Sequence, residues 1–160
     1  IPTRLRSCIS VVKTVKVLVK RSPGTNDLEL PAYKSQGAAG LDLCADVASD
    51  VVLAPGEIRM IPTGISVHIP EGYEGQVRPR SGLALKNGVT LVNTPGTIDS
   101  DYRGVIGLPL INLGREAFTV KRGMRLAQLV IQEYVRAEIV CVETLEVTAR
   151  ASGGFGHTGV

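Results

Sequence analysis

Along this chain, short apolar runs alternate with Pro-Gly punctuation, which is the pattern of many brief strands rather than of helices. Val15, Val17 and Val19 alternate with Lys16 and Lys20, predicting a half-buried strand over Thr14–Lys20. Val51–Leu53, Ile58–Ile61 and Ile65–Ile69 follow, separated by Pro55-Gly56, Pro62-Thr63-Gly64 and Pro70-Glu71-Gly72. Gln76–Pro79 extends this series into the one helical pattern, where Ser81 is expected to cap Leu83–Lys86 before Asn87-Gly88 stops the turn. Next come two aliphatic runs, Val89–Val92 and Val105–Leu110, which read as a β-arm turned at Thr94-Pro95-Gly96 with a polar tip at Asp99-Ser100-Asp101. Leu108–Asn112, Phe118–Val120, Met124–Ile131 and Glu138–Val142 complete the strand series. Strands at this spacing predict a barrel or a two-sheet jelly roll.

Composition narrows this to one β domain. The 160 residues include no Trp and only six Phe and Tyr, so Val, Ile, Leu and Ala must build the core. The formal charge of +3 is unevenly spread: Arg4, Arg6, Lys13, Lys16, Lys20 and Arg21 precede every acidic residue, leaving twelve basic against fifteen acidic residues beyond them, a net of −3. A body of that charge disfavours DNA or RNA as a partner. Cys8, Cys44 and Cys141 lack zinc or disulfide-framework spacing, and no apolar run is long enough to span a membrane. The expectation is a cytoplasmic protein. Residues 1–13 read as a loosely ordered basic extension, 14–147 as the β domain, and 148–160 as a flexible glycine-rich tail.

Several residues can carry chemistry, each beside a plainer reading. Arg80-Ser81-Gly82 at a helix start suits an anion, or is an ordinary capped helix with a surface arginine. Asp99 suits a general base or an Asx turn, and Asn93 has the donor and acceptor to read a pyrimidine edge or to cap its own turn. Tyr102 can wall a sugar pocket or fill a core edge. Asp42, a lone carboxylate among small and apolar residues, requires a partner; it suits a magnesium-bound water or a strand-end turn. In the tail, Arg150 with the bare backbone around Gly153, Gly154 and Gly156 suits polyphosphate, and Phe155 suits stacking on a base; the alternative is a disordered end. His68 and His157 read as surface residues.

Five segments, taken in order, resemble the homotrimeric deoxyuridine triphosphate nucleotidohydrolases: A-G-L-D-L (39–43), R-P-R-S-G-L-A (78–84), N-T-P-G-T-I-D-S-D-Y-R-G (93–104), R-L-A-Q-L (125–129) and G-G-F-G-H-T-G (153–159). The resemblance implies an all-β, jelly-roll-like distorted barrel with one short helix, in a homotrimer with shared active sites. It implies hydrolysis of dUTP to dUMP and pyrophosphate with Mg²⁺, limiting uracil in DNA and supplying dUMP for thymidylate. Asp99 would activate the water and Tyr102 would pack under the deoxyribose. Asn93, with Gly96, Thr97, Ile98 and Gly107, would read uracil. Arg80, Ser81, Gly82 and Gln128 would hold the phosphates, and Asp42 would order the metal's water shell. Arg150, Gly154, Phe155 and Gly156 would close the site. Val105 departs from the acidic or polar residue frequent in relatives, and is expected at a subunit contact away from the catalytic roles. The alternatives are a dCTP deaminase of the same fold and a non-catalytic nucleotide-binding regulator.

Overall fold

The computed structural model describes residues 13–154. They form eleven strands and one helix: β1 (Leu18–Arg21), β2 (Leu41–Cys44), β3 (Val51–Leu53), β4 (Ile58–Pro62), β5 (Ile65–His68), β6 (Tyr73–Pro79), α1 (Ser81–Asn87), β7 (Val89–Leu91), β8 (Gly96–Ile98), β9 (Gly107–Asn112), β10 (Phe118–Val120) and β11 (Arg125–Glu133). Every strand pairing is antiparallel, in sheets of order β1-β5, β3-β10, β2-β11-β6-β8 and β4-β9-β7. The sheets enclose one aliphatic core in which Leu43, Leu53, Ile61, Ile106, Leu108, Leu110, Leu126 and Leu129 are almost wholly buried. This is the expected jelly-roll-like all-β fold, although no sheet among the described residues closes into a barrel. The single helix is seven residues long and does not approach the length needed to cross a membrane.

The β-arm forms with a different interior from the expected one. Its two runs pair, Leu91 opposite Leu110 and Val89 opposite Asn112. The stretch between them is not one tight turn, because Gly96–Ile98 becomes a strand that joins β6 in another sheet. The arm therefore bridges two sheets. Strand β1 is displaced towards Arg21 relative to the alternating valines, with its register set by β5. Glu138–Val142 forms no strand: residues 134–150 are exposed, and no strand among the described residues pairs with them. The helix begins at Ser81 itself, so Arg80 is the N-cap, in extended conformation and without a side-chain capping bond. Proline at position 79 keeps the preceding backbone extended, and Arg80 carries that extended conformation up to the first helical residue. Gly88 stops the helix as expected, at φ 68° with its N–H turned back to Ala84 and Leu83.

Two polar devices fix the strand ends. Asn112 is fully buried, its amide nitrogen donating to the Leu53 carbonyl at 2.9 Å and the Glu116 carbonyl at 2.8 Å, while its oxygen accepts from Gly114 N–H at 2.9 Å. Arg122, just before β11, forks onto both Asp27 oxygens at 2.7 and 2.8 Å and also bonds Asp46. The arginine hydrogen bonds hold the Asp27 carboxyl below its ordinary pKa of 3.8.

Replacing Asn112→Ala leaves the buried Leu53 carbonyl and two half-buried backbone groups without their partner, and chemical denaturation is expected to show a loss of about 2–4 kcal/mol. Because the Asp27 pKa is lowered on folding, its contribution is present above the unfolded-state value and lost as pH falls through the folded-state value. The melting-temperature gap between wild type and Asp27→Asn is therefore expected at pH 7, should begin to narrow as pH falls below about 4, and should close only below the lowered folded-state value.

Candidate active site

The cationic half of the site is assembled on strand β11 and its two neighbours. An irregularity between Arg125 and Ala127 pairs Arg125 with Cys44 and Gln128 with Asp42, leaving Leu126 as the extra residue. In a regular strand, residues three apart face opposite sides. The bulge instead turns Arg125 and Gln128 to the face that carries Asp42, while Leu126 and Ala127 both enter the core. Arg125 Nη1 then lies 2.8 Å from Asp42 Oδ2, and Arg80 Nε lies 3.4 Å from Asp42 Oδ1. This answers the need of a carboxylate whose side chain is only 14% exposed.

The backbone holds these side chains in place. Arg80 Nη1 donates to the Arg125 carbonyl at 2.8 Å, and Gln128 Nε2 donates to the Pro79 carbonyl at 3.1 Å. Gly40 completes the seat, since a Cβ there would lie 3.0 Å from Gln128 Cδ and closer to its oxygen. Two guanidinium groups against one carboxylate leave one unit of positive charge beside the start of α1, where Ser81 and Gly82 are exposed. That is an arrangement suited to an anionic ligand.

The second half is a cleft of about 500 Å³ on the arm, lined by Asn93, Thr97, Ile98, Asp99, Tyr102 and Gly107 together with Met60, Pro62, Val105 and Pro109. Strands β4 and β9 supply its apolar floor because Met60 pairs with Pro109 and Pro62 with Gly107. Asn93 packs against buried Gly96, where a Cβ would stand 3.0 Å from the amide nitrogen. Tyr102 N–H donates to the Asp99 carbonyl at 3.1 Å, closing the turn that presents both side chains. Asp99 is exposed and takes part in none of the ion pairs among the described residues, so its oxygens face solvent. A second opening of about 770 Å³ meets the first at Asp99 and is lined by His68, Glu71, Glu74, Asp101, Arg103 and Arg136, among others.

The structure thus gathers Asn93, Thr97, Ile98, Asp99, Tyr102 and Gly107 at one place, and Asp42, Arg80 and Gln128 at another. None of the second group lines the arm's cleft within one chain. Gly96 is buried behind the cleft rather than lining it. Arg150 lies in an exposed turn, its Nε donating to the Gly153 carbonyl at 2.9 Å, and neither it nor Gly154 lines either opening. Phe155, Gly156 and most of the basic extension fall outside the described residues. Val105 is not remote from the site: it lines the cleft, and its carbonyl accepts the Tyr102 hydroxyl at 3.1 Å. Residue 105 precedes β9, and the chain must pass the cleft wall to enter that strand. Sequence reasoning also missed Arg125, Met60 and Pro109. Arg125 was legible only through the bulge; Met60 and Pro109 have the alternating outward positions of their strands as a signal.

Residues 26–159 match the dUTPase family model. A deoxyuridine 5'-triphosphate nucleotidohydrolase of Caldanaerobacter subterraneus subsp. tengcongensis is 56% identical over 147 residues, covering 92% of this chain and 99% of that protein. Among solved structures, the Staphylococcus bacteriophage 80alpha dUTPase with dUPNHPP superposes at TM-score 0.78 with 29% identity, over 92% of this chain and all of that one. A mutant dUTPase from phage phi11 of S. aureus, described as coordinating a structural Mg(II) ion, gives TM-score 0.72 and 27% identity over 83% and 100% of the two chains.

Gly40→Ala should displace the Gln128 amide from Pro79 without unfolding the sheet. The expected crystallographic result is a rotated Gln128 side chain with β2 and β11 still in register; an unmoved amide would contradict the seating described.

Proposed function

The chain belongs to the dUTPase family, and from that premise we propose how it hydrolyses dUTP to dUMP and pyrophosphate. The observation that carries the reading is the convergence of Asn93, Asp99 and Tyr102 on one cleft whose remaining walls, Thr97 apart, are apolar. Asn93 and the backbone near Gly96–Ile98 and Gly107 hold the uracil edge, and Tyr102 packs under the deoxyribose where a 2′-hydroxyl has no room. Asp99 accepts a proton from water as the water oxygen bonds to the α-phosphorus; the bond from that phosphorus to its bridging oxygen breaks, and pyrophosphate leaves. The chain supplies positioning and charge rather than a covalent nucleophile.

Arg80, Ser81, Gly82 and Gln128 hold the triphosphate, with Arg125 adding charge to the same face. dUTPases generally use Mg²⁺, and the donor set here fits a particular mode of holding it. Both Asp42 oxygens are engaged by arginines, and no three His, Cys, Asp or Glu side chains converge among the described residues. Mg²⁺ held by substrate phosphates needs few direct protein ligands, so Asp42 suits contact through water. When bound, the ion neutralises phosphate charge.

The two halves complete one site only between copies of the chain, in a homotrimer. Supporting this, Val135, Ile139, Leu145 and Val147 leave the body as an arm of largely exposed apolar side chains, a surface that a second copy would cover. Arg150, Gly154, Phe155 and Gly156 at its end then close over the phosphates as a lid. The compartment we assign is the cytoplasm, where the free thiols of Cys44 and Cys141 persist.

Asp99→Asn is expected to lower turnover of dUTP by about 10²-fold or more while dUTP binding is kept, as pyrophosphate release and calorimetry would show. Turnover near that of wild type would remove Asp99 from the role of base. Removing Arg150–Val160 should slow hydrolysis with the trimer intact by solution mass measurement; loss of assembly would make the tail a structural element instead.

A further inference from the structure

Gly104 lies in the loop between the arm's tip and β9, and its backbone makes no demand for glycine. Its φ is outside the left-handed region that Gly24, Gly56, Gly64, Gly72, Gly88 and Gly123 occupy. The nearest atoms that a side chain would meet all belong to one residue. A Cβ built on Gly104 would stand 2.6 Å from Tyr102 Cζ and 3.0 Å from Cε2, and nearer still to the phenol oxygen. Ordinary contact begins at 3.4 Å. The tyrosine folds back across the chain that follows it, into the space the missing side chain leaves, and its hydroxyl reaches the Val105 carbonyl at 3.1 Å.

The Tyr102 side chain is part of the cleft wall with Asn93, Met60 and Pro109, and the residue is 42% exposed. An exposed ring tip can yield where packed backbone cannot. A methyl group at position 104 would therefore be accommodated by movement of the phenol, on the order of 1 Å, with loss of its bond to Val105. Displacements of this size at a reacting or selecting group cost large factors in rate.

We propose that Gly104 is a positioning residue for substrate selection: the gap it leaves seats the Tyr102 ring at the depth that separates a deoxyribonucleotide from a ribonucleotide. This rests on Tyr102 being the sugar wall, as set out above. Tyr102 touches the sugar, and Gly104 acts through it. The pair works as a unit because all three atoms closest to the Gly104 Cβ position belong to Tyr102.

The test is a double-mutant cycle read as the ratio of kcat/KM for dUTP to that for UTP, with melting temperatures recorded for each protein. Gly104→Ala is expected to lower the ratio by about tenfold or more. In a Tyr102→Ala background the same change should leave the ratio within about twofold, since the nearest obstacle to it is gone. A wild-type ratio for Gly104→Ala, or an equal fall in both backgrounds, would overturn the inference. Equal loss of both substrates, with the ratio kept, would also overturn it as a merely structural effect. Tyr102→Ala that still rejects UTP like wild type would instead overturn the sugar-wall reading, and this inference with it. Tyr102→Phe provides an independent measurement if Gly104→Ala does not fold. It keeps the ring and removes the bond to Val105, so the ratio should drop about threefold or more, and an unchanged ratio counts against the proposal.

Discussion

The bulge at Leu126 is the constraint on which the rest of this molecule depends. Strand β11 is hydrogen-bonded on both edges, to β2 and to β6, and therefore cannot slip without breaking two ladders. One extra residue near its start lets Leu126 and Ala127 both enter the core and brings Arg125 onto the face of Gln128. Asp42 is then neutralised by Arg125 and Arg80, and the backbone between Pro79 and Arg125 is tied across the sheet. Core packing and site chemistry thus share one local irregularity. A regular strand at this position would bury a charge or expose a leucine, and either outcome is costly.

From that strand the polypeptide distributes its functions to separate edges. β2 and β8 are the outer strands of the same four-stranded sheet, with Asp42 on one and Thr97 on the other. The arm is anchored twice, through β8 to β6 and through β7 to β9, so the tip that carries Asp99 and Tyr102 rests on a rigid base. The fully buried Asn112 locks the far end of β9, and the Thr63 hydroxyl donates to the Ile106 carbonyl at 2.8 Å where the chain enters it. The base and sugar recognition proposed for the arm would be built on this frame. Asp42, Arg80, Gln128 and Arg150 stand apart from it in the single chain, which is the physical basis for proposing that copies combine.

Much of this was legible in the sequence because the strands are short, aliphatic and punctuated, and because the polar residues of the arm have no role in the core. The single helix and its stop at Gly88 were readable from local chemistry. Its start was not, because an N-cap without a capping side chain leaves no signature, and Ser81 offered a misleading one. Glu138–Val142 has strand character but finds no partner edge among the described residues, a fact that periodicity does not contain. The place of Val105 was missed for a related reason: which loop walls a cleft depends on how strands from two sheets converge. The partners of Asp42 required the bulge, which two-residue alternation cannot reveal. Resemblance of five ordered motifs supplied roles for individual residues, whereas the contacts that hold those residues came only from the fold.

The central claim, that the arm of one copy works with the cations of another, is tested most directly by complementation. Asp99→Asn disables the arm half and Arg80→Ala the cationic half, so trimers of either variant have no intact site if the halves are shared. Co-expression of the two, followed by steady-state measurement of pyrophosphate release from dUTP, is predicted to recover a substantial fraction of wild-type activity, because some interfaces in mixed trimers join two unaltered halves. Activity of the mixture no greater than the sum of the separate variants would contradict the account and place both halves within a single chain.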